Sequence, residues 1–276
     1  MPATIRRPFA LPADFAQVAD IAWARMSAVP GFLTEREGRF LALAAAVGPA
    51  TGALLEIGSF KGKSTVGLAT VARQYGSDPV VAVDPHTSPS STDPDLRGAS
   101  TSFDDFQNSL RIAGVEDAVE VYRAYSGDLA KTWTRPIRLL WIDGDHTYAG
   151  ALADLDLYQP FLVDGAIVAL HDALHPFDGP IRVMVERILA SDRFGPAGFC
   201  GSIAWAQYRP RSGGSSLYKR MRQRLASRAS RLIPFVREAK PLYGLRFLLW
   251  KLARSRVPHG PVDPLEWTAI VSKPLS

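Results

Sequence analysis

The chain has 276 residues, of which 47% are hydrophobic and 21% are charged. This balance excludes an intrinsically disordered chain and is typical of one large globular domain, or of one domain with an appendage. The single cysteine, Cys200, excludes an intrachain disulfide, and residues 1–11 hold no continuous apolar run of the kind found in signal peptides. We therefore expect a cytoplasmic protein.

The charge is distributed unevenly along the chain. Between Leu217 and Arg256 there are 12 lysines and arginines against one acid, Glu238, which gives this stretch a net charge of +11. Because the whole chain carries +5, the remainder carries −6. The sequence thus predicts a mildly acidic body with a strongly basic extension.

Two helices are predicted at the start of the chain, within residues 12–47. The first carries Phe15, Val18 and Ile21 at helical spacing, and the second runs from Thr34 to Val47. Thr34 followed by Glu37 predicts a capping box at the start of the second helix.

Short apolar runs alternate with amphipathic segments from Ala53 onward. The predicted strands are Ala53–Ile57, Val80–Val83, Val119–Tyr122, Ile137–Ile142 and Ala166–Leu170, and the predicted helices are Ser64–Tyr75, Phe103–Ala113 and Ala149–Leu162. Strands that are apolar throughout and separated by helices indicate a Rossmann-like α/β fold, with a doubly wound, mostly parallel sheet whose ligand site lies at the carboxyl ends of the strands. Phe194–Phe199 and Ser202–Gln207 predict a closing antiparallel hairpin.

The turn after the first strand is rich in glycine and reads Leu54-Leu-Glu-Ile-Gly-Ser-Phe-Lys-Gly-Lys-Ser-Thr65. Gly58 and Gly62 allow a tight turn and a close approach of a ligand to the backbone. Only three residues separate the two glycines, whereas a P-loop requires four, and Phe60 stands where a dinucleotide-binding fingerprint requires glycine. Both of these nucleotide sites are therefore disfavoured.

The arrangement of Glu56, Gly58 and Gly62 resembles motif I of class I S-adenosylmethionine-dependent methyltransferases, and Asp84 ends the second strand 26 residues after Gly58. The resemblance implies S-adenosylmethionine as the cofactor. It also implies that the Asp84 carboxylate accepts hydrogen bonds from both ribose hydroxyls. A polar residue is implied at the adenine, and Ser126 is the candidate. Asp128, in the same loop, is as well explained as a helix N-cap. The implied cofactor-binding residues are Glu56, Gly58, Ser59, Gly62, Ser64, Asp84, Ser126 and Asp143.

A second segment reads Ile142-Asp-Gly-Asp-His-Thr-Tyr148 and is followed, after a helix, by Asp164-Gly-Ala-Ile-Val-Ala-Leu-His-Asp172. It resembles the methyltransferase group that includes sugar O-methyltransferases of macrolide tailoring, and the resemblance covers about residues 50–208. Some of these relatives hold Mg²⁺ at the corresponding strand ends, which here carry Asp143 and Asp172. His171 stands where such relatives often carry an acid, so a metal-dependent and a metal-independent reaction both stay open.

Three histidines follow these strands and are candidates for the catalytic base, namely His146, His171 and His175. We favour His146 because it directly follows the acid pair Asp143 and Asp145. Asp145 itself is better explained as the cap of the following helix.

We divide the chain into an N-terminal helical cap (1–48), a methyltransferase domain (49–208), a linker (209–216) and a basic amphipathic C-terminal extension (217–276). The extension either packs on the body or on a second subunit, or it lies on an anionic membrane surface through residues 217–256. Nucleic acid is disfavoured, since no binding motif accompanies the charge.

The sequence therefore predicts methyl transfer from S-adenosylmethionine to a hydroxyl of a small or glycosylated acceptor, with Thr87–Ser102 as a mobile lid or acceptor loop. Two alternatives stay open: an N- or C-directed methyltransferase without metal, and a non-catalytic nucleotide-binding or membrane-associated module.

Overall fold

The computed structural model describes residues 10–49, 51–96, 98–236 and 242–273. The first nine residues of the predicted cap lie outside this range. So do Arg237, Glu238 and Lys240 of the basic extension, together with the last three residues of the chain.

Seven strands and eleven α-helices are found in the described residues. The strands are β1 (Ala53–Ile57), β2 (Val80–Val83), β3 (Val119–Tyr122), β4 (Ile137–Ile142), β5 (Leu162–Leu170), β6 (Phe194–Cys200) and β7 (Ile203–Tyr208). The helices are α1 (Phe15–Ser27), α2 (Glu35–Ala46), α3 (Lys63–Gln74), α4 (Phe103–Ala113), α5 (Ser126–Ala130), α6 (Tyr148–Tyr158), α7 (Asp178–Arg182), α8 (Ser216–Ala229), α9 (Ile233–Val236), α10 (Gly244–Ser255) and α11 (Pro264–Ser272). Short 3₁₀ turns at Glu116–Ala118, Gln159–Phe161 and Ser230–Leu232 and a π-helical segment at Val183–Leu189 connect some of them.

All strands belong to one sheet, in the order β3-β2-β1-β4-β5-β7-β6. The first five strands are parallel, and β7 pairs antiparallel with both β5 and β6. The predicted doubly wound sheet with a closing hairpin is therefore confirmed. The order of the strands reverses between β1 and β4: β2 and β3 are added on one side of β1, and β4 and β5 on the other. The carboxyl ends of the neighbours β1 and β4 therefore open a crevice for a ligand.

Alternate residues of each strand enter two separate cores, because successive side chains of a strand point to opposite faces. On one face, Leu54 and Trp141 pack under α1 to α4. On the other, Leu55 and Leu140 pack under α5 to α10. Both faces of the sheet are thus covered, which explains why its central strands are mostly apolar.

Two predicted boundaries are wrong at the junction of α6 and β5. The helix ends at Tyr158, and the strand begins at Leu162 and not at Ala166. Pro160 lies in the 3₁₀ turn between them, and it has no N–H with which to continue a helix. Asp128 is likewise not an N-cap, because α5 begins at Ser126 and Asp128 lies inside its first turn.

The basic extension packs on the body in the described residues. Leu232, Trp250 and Val257 are buried in the second core, and Trp267 of α11 is buried in the first. Arg222 is 2% exposed, and its guanidinium donates to the carbonyls of Leu189, Phe194 and Gly213 and to the Asp192 carboxylate. One arginine of the extension is therefore a structural anchor that holds α8 against β6.

Residues 209–216, predicted as a linker, form a packed turn. Arg209 is buried and donates to Gln207 at 3.0 Å and to the Val271 carbonyl at 2.8 Å. The division into four segments stays a prediction. Within the described ranges, no helix combines the length and the hydropathy needed to cross a bilayer.

Candidate active site

The turn between β1 and α3 approaches the end of β4 very closely. Gly58 has φ +85°, and a Cβ at this position would overlap the backbone carbonyl of Asp143. Gly62 has φ +90° and precedes α3 directly, in a conformation that favours glycine. The two glycines therefore bring the turn against β4 and leave the backbone open toward the crevice.

Asp84 ties this turn to the end of β2. One carboxylate oxygen accepts from the backbone N–H groups of Ser59 and Phe60 at 2.7 and 2.8 Å, and the other accepts from that of His86 at 2.5 Å. A carboxylate oxygen has two lone pairs, so Asp84 keeps acceptor capacity toward the cavity, which it lines. The predicted ribose ligand also organises the turn, a role that the sequence did not indicate.

Glu56 lies beneath the turn and is completely buried. One of its oxygens accepts from the hydroxyls of Thr65 at 2.5 Å and Ser59 at 3.3 Å, while the other has no hydrogen-bond partner among the described residues. Burial raises the pKa of Glu56 to about 7, although the hydroxyls of Ser64 and Thr65 oppose the shift. Glu56 therefore supports the turn from below, and with a pKa of about 7 it changes between its neutral and charged forms near neutral pH.

A cavity of about 820 Å³ opens at the carboxyl ends of β1, β2, β4 and β5. It is lined by all the predicted site residues except Glu56 and Gly62. Ser126 also lines it and donates to Asp154 of α6 at 2.6 Å. Burial raises the pKa of Asp154 to about 6. The sequence analysis missed Asp154, because an acid inside a helix carries no local signal of its function.

Four ionisable side chains meet on one side of this cavity and form what we call the His–Asp cluster: Asp143, His146, Asp172 and His175. His146 Nε2 lies 3.5 Å from Asp143 Oδ1 and 3.3 Å from Asp172 Oδ2. His175 Nδ1 lies 2.8 Å from Asp172 Oδ1. Asp172 has φ +54°, a conformation uncommon outside glycine that often marks a functional site.

His171 lies behind the cluster and not in it. Its Nδ1 is 3.0 Å from Asp143 Oδ1, and its Nε2 is 3.9 Å from Glu37 Oε2 on α2. Burial would lower the pKa of His171, but Asp143 and Glu37 outweigh burial and hold it well above its usual value. His171 is therefore buried against the Asp143 carboxylate, and the acids around it favour its protonated form.

Glu37 is the residue of this site that the sequence analysis assigned only to a helix cap. The capping box with Thr34 is confirmed, with the Thr34 N–H 2.9 Å from the Glu37 carboxylate. The same carboxylate accepts from the backbone and hydroxyl of Ser202 at 2.5 and 2.7 Å. Burial would raise the pKa of Glu37, but its bonds to His171, Thr34 and Ser202 hold it far below the usual range.

His146 is buried between two carboxylates and packs on the Phe177 ring, with centroids 4.7 Å apart. Burial lowers its pKa, but the hydrogen bond and charge of Asp143 together with the charge of Asp172 raise it above the usual value. Neither ring nitrogen has a hydrogen bond of good geometry among the described residues. His175, by contrast, is 42% exposed, so its Nε2 is accessible from the cavity.

The sequence suggested that Asp145 caps α6, but the structure shows a different residue in that position. Thr147 is the N-cap, because its hydroxyl accepts from the Gly150 N–H at 3.1 Å. Asp145 instead accepts from the hydroxyls of Ser90 and Thr92 at 2.8 and 3.1 Å. It thereby holds Ser90 and Thr92, which belong to the predicted lid or acceptor loop, at the wall of the cavity.

The donor atoms of Asp143, His146 and Asp172 lie within 4.8 Å of one another, so these side chains could hold a metal ion. The unpartnered His146 nitrogens are buried polar atoms that such an ion would satisfy. Mg²⁺ prefers oxygen ligands, whereas a mixed set with one imidazole suits a divalent ion such as Mn²⁺ better. The residues therefore fit a divalent cation, with the His146 nitrogen as the departure from an all-oxygen site.

Residues 55–173, which contain the glycine turn, Asp84 and the His–Asp cluster apart from His175, match the family model described as a methyltransferase domain. Among solved structures, the cofactor-bound Rv0187 from MTB is 22% identical, with 71% of this chain and 91% of that chain covered and a TM-score of 0.51. An O-methyltransferase from Bacillus cereus in complex with SAH is 18% identical, over 72% and 92% of the two chains, with a TM-score of 0.47. The O-methyltransferase TomG from Streptomyces achromogenes, in complex with SAM, is 16% identical, over 73% and 92%, with a TM-score of 0.48. Residues 55–173 thus match a methyltransferase domain, and the sheet that contains them has a Rossmann-like fold.

Proposed function

We propose that the protein transfers the methyl group of S-adenosylmethionine to a hydroxyl oxygen of a small-molecule acceptor. The observation that carries the proposal is the shared cavity, in which the cofactor turn and the His–Asp cluster face the same space. A cluster of carboxylates and imidazoles suits a nucleophile that must lose a proton as it reacts, and a hydroxyl is such a nucleophile.

In this proposal the cofactor lies along the carboxyl ends of β1, β2 and β4. The backbone at Gly58 and Ser59 contacts its amino-acid portion, and Asp84 accepts from the ribose hydroxyls. Ser126 lies at the adenine, where it is oriented by its hydrogen bond to Asp154. The acceptor then lies between the Thr87–Ser102 segment and the His–Asp cluster.

The exposure of the three histidines favours His175 as the base, in place of His146. His171 is buried with Nδ1 3.0 Å from Asp143, and the nearby acids hold its pKa well above the usual value. His146 lies between two carboxylates that raise its pKa, so it is better suited to hold charge or a metal ion than to accept a proton at neutral pH. His175 Nδ1 lies 2.8 Å from Asp172 Oδ1, and Nε2, on the other side of the ring, would accept the proton of the acceptor.

The reaction follows from these positions. The acceptor oxygen attacks the sulfonium methyl in line as its hydroxyl proton passes to Nε2 of His175. The new O–CH₃ bond forms while the S–CH₃ bond breaks, and its electron pair stays on sulfur in S-adenosylhomocysteine. Asp172 stabilises the imidazolium that results, and Asp143 is kept in place by His171. A divalent cation held by Asp143, His146 and Asp172 would supply charge that stabilises the acceptor oxygen as an alkoxide.

The test is a transfer assay with S-adenosylmethionine that carries a ¹³C-labelled methyl group. Purified protein would be offered panels of hydroxylated, amine-containing and carbon-nucleophile acceptors, with and without a chelator. The proposal predicts label in O–CH₃ groups, identified by their ¹³C chemical shift. Label that appears only on nitrogen or carbon would overturn the choice of acceptor atom but leave the cofactor assignment intact.

Homodimerisation is a separate proposal about partners. Part of the apolar surface of the extension is already buried on its own chain. Sedimentation velocity across a range of concentrations tests it directly.

A further inference from the structure

An exposed apolar surface runs along α10. Four leucines of this helix are between 46% and 71% exposed and recur at helical spacing: Leu245, Leu248, Leu249 and Leu252. We call them the leucine stripe. Trp250 and Ala253, on the opposite side of the helix, are buried in the second core. The helix is therefore firmly attached to the body while four leucines face outward, and a contiguous apolar patch of this kind marks an interaction site.

A strongly basic groove lies beside the stripe. We call it the arginine groove. It is lined by Gln223, Ser227 and four arginines, namely Arg224, Arg228, Arg231 and Arg256. Arg256 follows Leu245 by eleven residues, about three helical turns, so it continues the exposed face of α10. The groove and the stripe therefore form one continuous surface.

The arginine groove has no acidic neighbour along the chain in the described segments. Residues 210–236 and 242–257 contain no aspartate or glutamate. Arg222, in the same helix, pairs with Asp192, whereas the structure shows no ion pair for the four groove arginines within the ranges that it describes. The charge of the groove is thus free to attract an anionic partner.

We propose that this surface docks on the face of an anionic lipid bilayer. The leucine stripe would enter the boundary between headgroups and acyl chains, and the arginine groove would bind the phosphate-bearing headgroups. A bilayer matches the two features together, since it offers an apolar layer beneath a layer of negative charge.

Two other occupants match only one of the features. A nucleic acid would satisfy the arginines but leave four leucines in water. A second copy, related by a two-fold axis through this surface, would cover the leucines but bring two arginine grooves toward each other. Charge therefore favours the bilayer over both.

The experiment is vesicle flotation with the full chain. Vesicles of phosphatidylcholine alone would be compared with vesicles that contain 30% phosphatidylglycerol, at low and high NaCl. We expect at least tenfold stronger partitioning to the anionic vesicles, lost at high salt because exposed charges are screened. Equal partitioning to both vesicles, or binding to neither, would overturn the proposal.

Two variants separate the contributions of the surface. R224Q/R228Q/R231Q removes three groove charges, and R111Q/K131Q/R187Q removes three exposed charges elsewhere as the matched control. L245S/L248S/L252S replaces three leucines of the stripe with polar serine. The control I112S/L265S makes the same kind of change at exposed apolar residues elsewhere. Both test variants should lose at least tenfold in partitioning while both controls keep it.

Folding is checked independently by circular dichroism and thermal unfolding, since all these side chains are exposed and should be dispensable for stability. If the arginine variant partitions like the wild type, the groove is not a headgroup site. If the wild type sediments as a dimer that the leucine variant turns into monomers, the stripe is a subunit interface and the proposal is wrong.

Discussion

The carboxylate of Glu37 lies 3.9 Å from Nε2 of His171, although the two residues are 134 positions apart in the chain. Through this contact, helix α2 reaches across the carboxyl edge of the sheet and helps to raise the pKa of His171, whose Nδ1 lies 3.0 Å from Asp143. The N-terminal helices therefore contact the candidate active site.

The first prediction concerns this contact. Glu37→Gln removes the negative charge beside His171, so the pKa of His171 should fall and Asp143 should lose its fixed partner at alkaline pH. We expect kcat to fall about tenfold and the alkaline limb of the pH–rate profile to move to lower pH, because the cation is lost earlier as pH rises. Glu35→Gln, an exposed acid on the same helix, is the control. An unchanged pH profile with a merely lower melting temperature would reduce Glu37 to a structural role.

The second prediction separates His146 and His175 as candidates for the base. His175→Asn should lower kcat by about 10²- to 10⁴-fold, the usual contribution of a general base, and leave the Kd for S-adenosylhomocysteine within threefold. His146→Asn should lower activity too, but together with loss of cation binding. Rapid-quench measurement of a single turnover isolates the chemical step. If His175→Asn keeps the wild-type single-turnover rate, His175 is not the base, and His146 is the remaining candidate.

The third prediction concerns the divalent cation. Mn²⁺ at about 100 times its Kd should raise the melting temperature by about 5 °C, since a ligand at that saturation stabilises the native state by about 2.7 kcal/mol. Ca²⁺ should have a smaller effect because His146 offers nitrogen. Asp172→Asn should abolish the shift, and Asp164→Asn, an exposed acid on β5, should preserve it. Equal shifts in the two variants would place the ion elsewhere.

The fourth prediction follows from the buried acid Asp154. Its pKa is raised to about 6 in the native state, whereas it lies near 3.9 in the unfolded chain, so the native chain holds a proton between these values that the unfolded chain releases. The free energy of unfolding should therefore decrease as pH rises from about 4 to about 6, by up to about 3 kcal/mol from this group. Asp154→Asn should remove that part of the decrease. Urea unfolding at pH 4.5 and 7.5 measures it, and parallel curves for wild type and variant would contradict it.

Much of the fold was predictable from the sequence because its signals are local. Apolar runs such as Ile137–Ile142 need cover on both faces, and this requirement alone indicates the parallel sheet. Gly58 and Asp84 were predictable in the same way, since each follows directly from the end of a strand. The β5 boundary was not, because residues 162–165 lack the apolar continuity that marks the rest of the strand.

The site was less predictable because its cluster depends on tertiary contacts. Glu37 carries a local capping signal that hides its contact with His171, and Asp154 resembles any acid of an amphipathic helix. The ranking of the three histidines required their surroundings, since all three follow strands but only His175 keeps an exposed ring beside a carboxylate. Asp145 was misassigned because its partners, Ser90 and Thr92, lie more than fifty residues away.

The central claim is that the turn at Gly58 and Asp84 binds S-adenosylmethionine, and isothermal titration with S-adenosylhomocysteine tests it most directly. The comparison is wild type with Asp84→Asn, which keeps an acceptor for the turn but weakens the ribose contacts, and with the exposed control Asp104→Asn. We predict saturable binding by the wild type and the control, and a Kd at least tenfold weaker for Asp84→Asn, since hydrogen bonds to a charged group contribute about 1.5–3 kcal/mol each. The absence of binding to the folded wild type, or equal binding by all three proteins, would contradict the account.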